Sequence, residues 1–376
     1  MKKGVFRQEA YLSDLEEIVN IDSGSYDIAG CSRVIQWFAQ KYGQAGFDVS
    51  VNSVPGKHPM LEARHSARRD DTIDVLFIGH LDTVFPKGTC EKRPFSIEDG
   101  YVKGPGAADM KSGALLAFYI ADALVKEGRD INICAVLNTD EEIGSIDSVS
   151  RLRQLAARSA YCFNFEGARP GGGFVKERKG VYDYRVTFKG IPAHAGIEPE
   201  KGASAIVEMA RWIEAVTYLN AQERGTTLNT GIVKGGTASN VVAEYAEMTV
   251  ELRYLSEREK ARIERSFGDM AAYPKIPGVN TQWEIISGFP PMTPKESTES
   301  LMRVIEDTAL KLGQRKPEFL FTGGGSDSNH LSDFKAVVMD GCGPESGLYH
   351  SEDEYMVIDS LRPRFELICQ VIRNLF

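Results

Sequence analysis

Three short runs constrain this chain most: "DVLFIG" (74–79), "INICAVLN" (131–138) and "YCFNF" (161–165) place apolar, β-branched and aromatic residues at successive positions. A strand that is apolar on both faces must be covered on both faces, which points to a sheet packed between helices. Between the first two runs lies "KSGALLAFYIADALVKE" (111–127), rich in Ala and Leu and followed by Gly128 as a C-cap, so a helix is predicted there. A polar helical stretch at 145–158 separates the second run from the third. This alternation predicts an α/β fold with a parallel or mixed sheet and helices on its faces. Such sheets carry their sites in loops at the carboxyl ends of strands.

The pattern changes near residue 180. "YDYRVTFK" (182–189) and "MTVELRY" (248–254) alternate strictly between apolar and polar residues, as strands with one buried and one solvated face do. Helical stretches at 203–218 and 256–271 could cover the buried face. The segment ends in "GFPPMTPKE"; a helix at 297–313, a strand at 336–339 and a helix at 359–375 then resume the α/β pattern. The expected organisation is one α/β domain in two pieces, 1–178 and 292–376, with a smaller α+β domain inserted at 179–291.

A chain of 376 residues suits such a division, and 42% apolar residues suffice for packed cores. A net charge of -9, from 44 basic and 53 acidic residues, argues against a nucleic-acid or anionic-membrane surface. No apolar run reaches membrane-spanning length, and "MKKGVFRQEAYLSDLEEIV" lacks the apolar segment of a signal peptide. The six cysteines show no CxxC spacing and read as buried, reduced thiols, which suits a cytoplasmic protein.

The strand ends carry the chemistry. "FIGHLDTV" puts His80 and Asp82 just past the strand 74–79. Positions i and i+2 of an extended chain point the same way, so the Asp82 carboxylate can fix the ring tautomer of His80. "LNTDEEIGS" places Asp140, Glu141 and Glu142 after 131–138, where three successive acids repel one another unless something positive sits among them. Glu166 in "FNFEGA" ends the next strand, His350 lies in "GLYHSEDEY", and Asp109 closes the loop "GPGAAD" (104–109). Two imidazoles and several carboxylates without thiolate suit zinc, cobalt or manganese, and one carboxylate can bridge two ions. Singly, each has a plainer reading: a hydrogen-bonded histidine, a solvated acidic turn, a surface acid. "GPGAAD" follows GxGxxG for five positions, but its closing Asp would repel a pyrophosphate. His58, His65 and His330 read as surface or structural residues.

With these residues in view, the chain resembles the zinc-dependent exopeptidase and deacylase family of glutamate carboxypeptidase, acetylornithine deacetylase, succinyl-diaminopimelate desuccinylase and tripeptide aminopeptidase. "GHLDTV", "GAADMKSG", "TDEEIGS", "PAHAG", "GGGSDS" and "GLYHSEDEY" follow that family's motifs in its order, from about residue 10 to 376. The resemblance implies a mixed sheet sandwiched by helices, with the inserted domain as a lid through which two copies form a homodimer. It implies two zinc ions, or cobalt or manganese in their place. Asp109 would bridge them, His80 and Glu166 completing one site and Glu142 and His350 the other. Glu141 would be the general base, Asp82 would orient His80, and a cis peptide would join Asp109 to Met110. His194 in "IPAHAG" would donate to the developing oxyanion, commonly across the dimer interface. Asn240 and Arg253 would hold the substrate's carboxylate, and Gly324 and Ser326 of "GGGSDS" would sit near its terminus; the plainer readings are a surface cation for Arg253 and a glycine turn for 323–328.

The implied reaction is amide hydrolysis in a short peptide or an N-acyl amino acid, carboxypeptidase-like or tripeptidase-like. The alternatives are an acetylornithine deacetylase or desuccinylase type of deacylase, or an inactive binder with the same fold. Glu166, where many aminopeptidases have Asp, leans toward cleavage beside a free carboxylate. Phe289, where glutamate-releasing relatives have a basic residue, and Ser326, where Thr is common, leave the side chain beside the scissile bond unassigned.

Overall fold

The computed structural model describes residues 6–68 and 70–376. It divides into two units. One takes the chain up to Glu177, with Met292–Thr322 and Ser326–Phe376; the other takes Arg178–Pro291 with Gly323–Gly325.

The first unit is built on a six-stranded mixed sheet. Its order is Asp48–Asn52, Met60–His65, Ile133–Asn138, Ile73–His80, Ser159–Asn164 and Val337–Met339. The three expected apolar strands are its parallel centre: Ile73–His80 pairs in parallel with both Ile133–Asn138 and Ser159–Asn164. All eight residues of Ile73–His80 are buried. Its alternation explains why no polar face is needed. Val75 and Phe77 join the core made with the helices Gln8–Val19, Ile28–Gln44, Lys111–Lys126, Glu296–Lys311 and Leu361–Leu375. Leu76 and Ile78 point the other way, toward Leu152, Leu155 and Leu331. The helix Lys111–Lys126 ends as expected, with Gly128 in the left-handed region (φ 66°) and its N–H on the Val125 carbonyl.

The stretch 145–158 departs from its expected single helix. Regular helix covers only Val149–Ala156, preceded by a 3-10 turn at Glu141–Ile143 and by Ser145 at φ 55°. The Asp140 carboxylate accepts the Asp147 and Ser148 N–H groups at 2.7 and 3.1 Å, so these donors are met without helix. Periodicity also gave no sign of a small four-stranded sheet in the order Ser346–Gly347, Tyr355–Val357, Tyr101–Lys103, Ser96–Glu98. That sheet pairs Tyr355 with Lys103 and Met356 with Val102, so the loop carrying His350 is fastened beside the chain that runs into Asp109.

The second unit is a four-stranded antiparallel sheet, Thr227–Gly235, Tyr245–Tyr254, Gly180–Lys189 and Asn280–Phe289 in order. Tyr184, Val186, Phe188, Met248, Val250 and Leu252 pack on Trp212, Ile263 and Phe267, which come from the helices Ala205–Tyr218 and Glu257–Ala272.

Candidate metal centre

Within the first unit, five distant segments converge. His80 ends the central strand, and its Nε2 lies 3.1 Å from Asp109 Oδ1 and 3.6 Å from Glu166 Oε1. The other oxygen of Asp109, Oδ2, lies 3.2 Å from His350 Nε2, which is itself 3.2 Å from Glu142 Oε2. The two clusters, His80–Asp109–Glu166 and Asp109–Glu142–His350, each bring their donor atoms within 4.8 Å of one another and share one carboxylate. Asp109 and Met110 are joined by a cis peptide. Glu141 reaches in from the same turn as Glu142, with its Oε2 4.0 Å from His80 Nε2.

The orientation of His80 differs in detail from the expectation. Its Nδ1 faces the backbone carbonyl of Asp82 at 3.1 Å and the Asp82 carboxylate at 3.4 Å. Either acceptor puts the proton on Nδ1 and turns the Nε2 lone pair toward the cluster. The Asp82 carboxylate also accepts the Ser25 hydroxyl at 2.8 Å and the N–H groups of Glu141 and Glu142 at 3.3 and 3.1 Å. One residue thus faces the imidazole with its carbonyl and its carboxylate, and anchors the acidic turn through the latter.

Electrostatics test whether cations fit. Burial, then the nearby Glu166 and Glu142 carboxylates, push the Glu141 carboxyl well above its ordinary value against the pull of His80. Burial and Asp109 push Glu142 up. Burial would depress His80, but its hydrogen bonds to Asp109 and Asp82 outweigh this and hold the imidazole well above its usual range. Hydrogen bonds to Asp109 and Glu142 carry His350 up to about 10. Glu142 Oε1 is buried without a hydrogen-bond partner. Four carboxylates, two imidazoles and an unmet buried oxygen form a donor set that divalent cations would satisfy, and the residues fit such ions.

Two residues outside the expected set shape the centre. Glu354, fully buried, accepts the Gly106 N–H and so holds the loop before Asp109; burial pushes its carboxyl up to about 8. Asp327, from the "GGGSDS" stretch, takes Asn138 Nδ2 at 2.7 Å and the Ser145 hydroxyl, and burial pushes it up to about 7. Both lie inside motifs already singled out, but spacing alone gave no sign of what they would touch.

The remaining expected residues divide. In the second unit His194 is exposed and pairs with Val241 in a short bridge, and the Ala195 N–H donates to the Asn240 carbonyl at 3.0 Å, so His194 and Asn240 stand together. Gly196 N–H donates to His194 Nδ1 at 3.1 Å, which leaves the proton on Nε2. Arg253 has other partners than a substrate: Nε and Nη2 grip Glu251 at 2.7 and 2.9 Å and Nη1 holds the Gly323 carbonyl at 2.8 Å. Arg178 Nη1 takes the carbonyls of Gly324 and Gly325, so the glycine turn is fixed through its oxygens. Ser326 is fully buried; its hydroxyl donates to Asp340 at 2.7 Å and accepts from Ser328 N–H as the cap of the short helix Asp327–Leu331. The Ser326 hydroxyl is thus spent inside the fold, whereas the Arg253 guanidinium uses three of its five N–H groups on these partners and stays partly exposed.

Paired histidine–carboxylate sets sharing one carboxylate, at the strand ends of a helix-covered mixed sheet, define a metal-dependent hydrolase. The chain belongs to the peptidase family M20/M25/M40, which it matches over residues 76–374. It is 26% identical over 376 aligned residues to carboxypeptidase G2 of Pseudomonas sp., covering 98% of this chain and 90% of that one. It is 30% identical to a succinyl-diaminopimelate desuccinylase of Nitrosospira multiformis, over 76% of this chain and 79% of the other. Its fold is shared with a tripeptidase from Staphylococcus aureus at a TM-score of 0.78, 21% identity and 99% coverage of both chains. The expected α/β fold with a mixed sheet and the expected enzyme class are both present. Among the described residues, no helix is long and apolar enough to cross a membrane.

Proposed function

We propose that this chain is a dinuclear zinc amidohydrolase that cleaves a short peptide or an N-acyl amino acid beside a free carboxylate. The observation that carries this reading is the sharing of Asp109, whose two oxygens lie 3.1 and 3.2 Å from the imidazoles of two separate donor sets. His80 and Glu166 would hold one ion, and Glu142 and His350 the other. When bound, the two cations would offset the four carboxylates and make a water between them acidic. Glu141, the carboxylate of the cluster with no metal to hold, takes a proton from the attacking water and returns it to the departing amine. His194, with its proton on Nε2, donates to the developing oxyanion, and Asn240 beside it binds the substrate's carboxylate.

The inserted unit also carries exposed Ile232, Val233 and Ile285, which supports a homodimer formed through it. Six free, buried cysteines support a reducing, cytoplasmic setting.

The test is metal analysis of the zinc-loaded protein together with a panel of dipeptides, tripeptides and N-acyl amino acids. Two zinc ions per chain, reduced in Asp109→Ala, and release of the residue that carries the substrate's own free carboxylate are expected. One ion per chain would refute the dinuclear reading, and release only from the amino end would refute the substrate class.

A further inference from the structure

Residues 138–145 leave the strand Ile133–Asn138, carry Glu141 and Glu142, and turn back toward the helix Val149–Ala156. The two ends of this turn, Asn138 and Ser145, are both buried. A single side chain from a remote part of the sequence touches both. Asp327 Oδ2 accepts Asn138 Nδ2 at 2.7 Å, and Asp327 Oδ1 accepts the Ser145 hydroxyl. Asp327 is 1% exposed, so both its oxygens are taken out of water and spent on this turn. Ser145 stands at φ 55°, a left-handed conformation that a non-glycine residue keeps only when its surroundings hold it there. The middle of the turn is held separately, by Asp82 through the N–H groups of Glu141 and Glu142.

We propose that Asp327 is a positioning residue whose carboxylate clamps both ends of this turn and thereby places Glu141 and Glu142. The inference rests on the roles given to those two residues above. It assigns the Asp of "GGGSDS" to the metal centre's support rather than to the substrate.

The hydrogen-bond character of the clamp makes it testable with full-length, zinc-loaded protein. In Asp327→Ala both bonds are lost. In Asp327→Asn the new carbonyl can still accept from Asn138, and the new amide can donate to the Ser145 oxygen. Ser145→Ala removes one bond only and spares the rest of the site. Zinc affinity is measured by competition with a chromogenic chelator, and kcat and KM with whichever panel substrate the wild type cleaves. Asp327→Ala is expected to weaken zinc binding at least ~tenfold, the scale seen when a partner behind a metal ligand is removed. It should also lower kcat while KM stays within about twofold, as when the substrate's own contacts are intact. Asp327→Asn should recover most of the zinc affinity. The double variant Asp327→Ala/Ser145→Ala should be no worse than Asp327→Ala, because the two changes remove a shared bond. The proposal is overturned if Asp327→Ala binds zinc and turns over like the wild type, if Asn rescues no better than Ala, or if the two losses multiply. Should Asp327→Ala fail to fold, Ser145→Ala decides alone, and wild-type zinc affinity in that variant overturns the clamp. If the wild type binds zinc but cleaves nothing in the panel, the proposed reaction fails while the zinc comparisons still judge Asp327.

Discussion

Gly113 offers the sharpest test of how the first unit aims its proposed metal ligands. It sits in the helix Lys111–Lys126, four residues after Asp109, and faces the carbonyl oxygen of Phe165, next to Glu166. A Cβ built on Gly113 would meet that oxygen at 1.7 Å and the Phe165 carbonyl carbon at 2.9 Å. Ordinary carbon–oxygen contact needs about 3.4 Å, so in Gly113→Ala the helix and the strand end must separate by roughly 1.5 Å or more. Asp109 rides on one and Glu166 on the other, while metal–ligand distances tolerate only about 0.2 Å. Zinc affinity should therefore fall at least ~tenfold, as for other disturbances of ligand placement. Alanine gains about 1 kcal/mol in helix propensity over glycine. Overpacking of ~1–3 kcal/mol or more opposes it. The melting temperature of the metal-free protein should consequently fall rather than rise. The assays are chelator competition and thermal melts in EDTA. A Gly113→Ala protein that melts higher than the wild type and binds zinc equally well would refute the close approach and the argument built on it.

Glu141→Gln should keep both zinc ions yet lose at least ~100-fold in kcat, since general-base catalysis is removed without a ligand; metal analysis and initial rates check both halves. His194→Gln should lower kcat by about 100–1,000-fold, the usual cost of losing an oxyanion donor. If His194 serves a neighbouring subunit, mixing this variant with Glu141→Gln should restore activity. His330 gives a pH prediction: burial, with Arg153 nearby, pushes its imidazole down to about 4. The unfolded chain takes up that proton near pH 6.5, so the stability is fully present above 6.5 and is lost as pH falls toward 4. Between pH 7 and pH 5 the loss is about 2 kcal/mol from this one group. Urea unfolding in EDTA at the two pH values should show a pH-dependent loss about 2 kcal/mol larger in the wild type than in His330→Gln.

Much of this protein is written locally. The runs around Phe77, Ala135 and Phe163 have no polar face, so whatever fold they enter must cover both sides of a sheet. Strict alternation in 182–189 and 248–254 likewise fixes which side chains of those strands meet a core. The residue types of the candidate centre were legible because acids and histidines at strand ends violate the rule that such places are either solvated or neutralised. Tertiary structure alone decided the partners. Asp82 stands two residues from His80, and its carboxylate also serves the Glu141–Glu142 turn, because that turn brings two backbone N–H groups to it. Ser326 looks available in sequence, yet its hydroxyl is given to Asp340, and Arg253 is braced by Glu251 and Gly323. The small sheet that sets His350 beside Asp109 pairs strands of three residues and fewer, too short for any periodicity to register. Periodicity reports which side of an element faces a core; it carries no information about which distant donor meets which acceptor, and in this centre those meetings set the geometry.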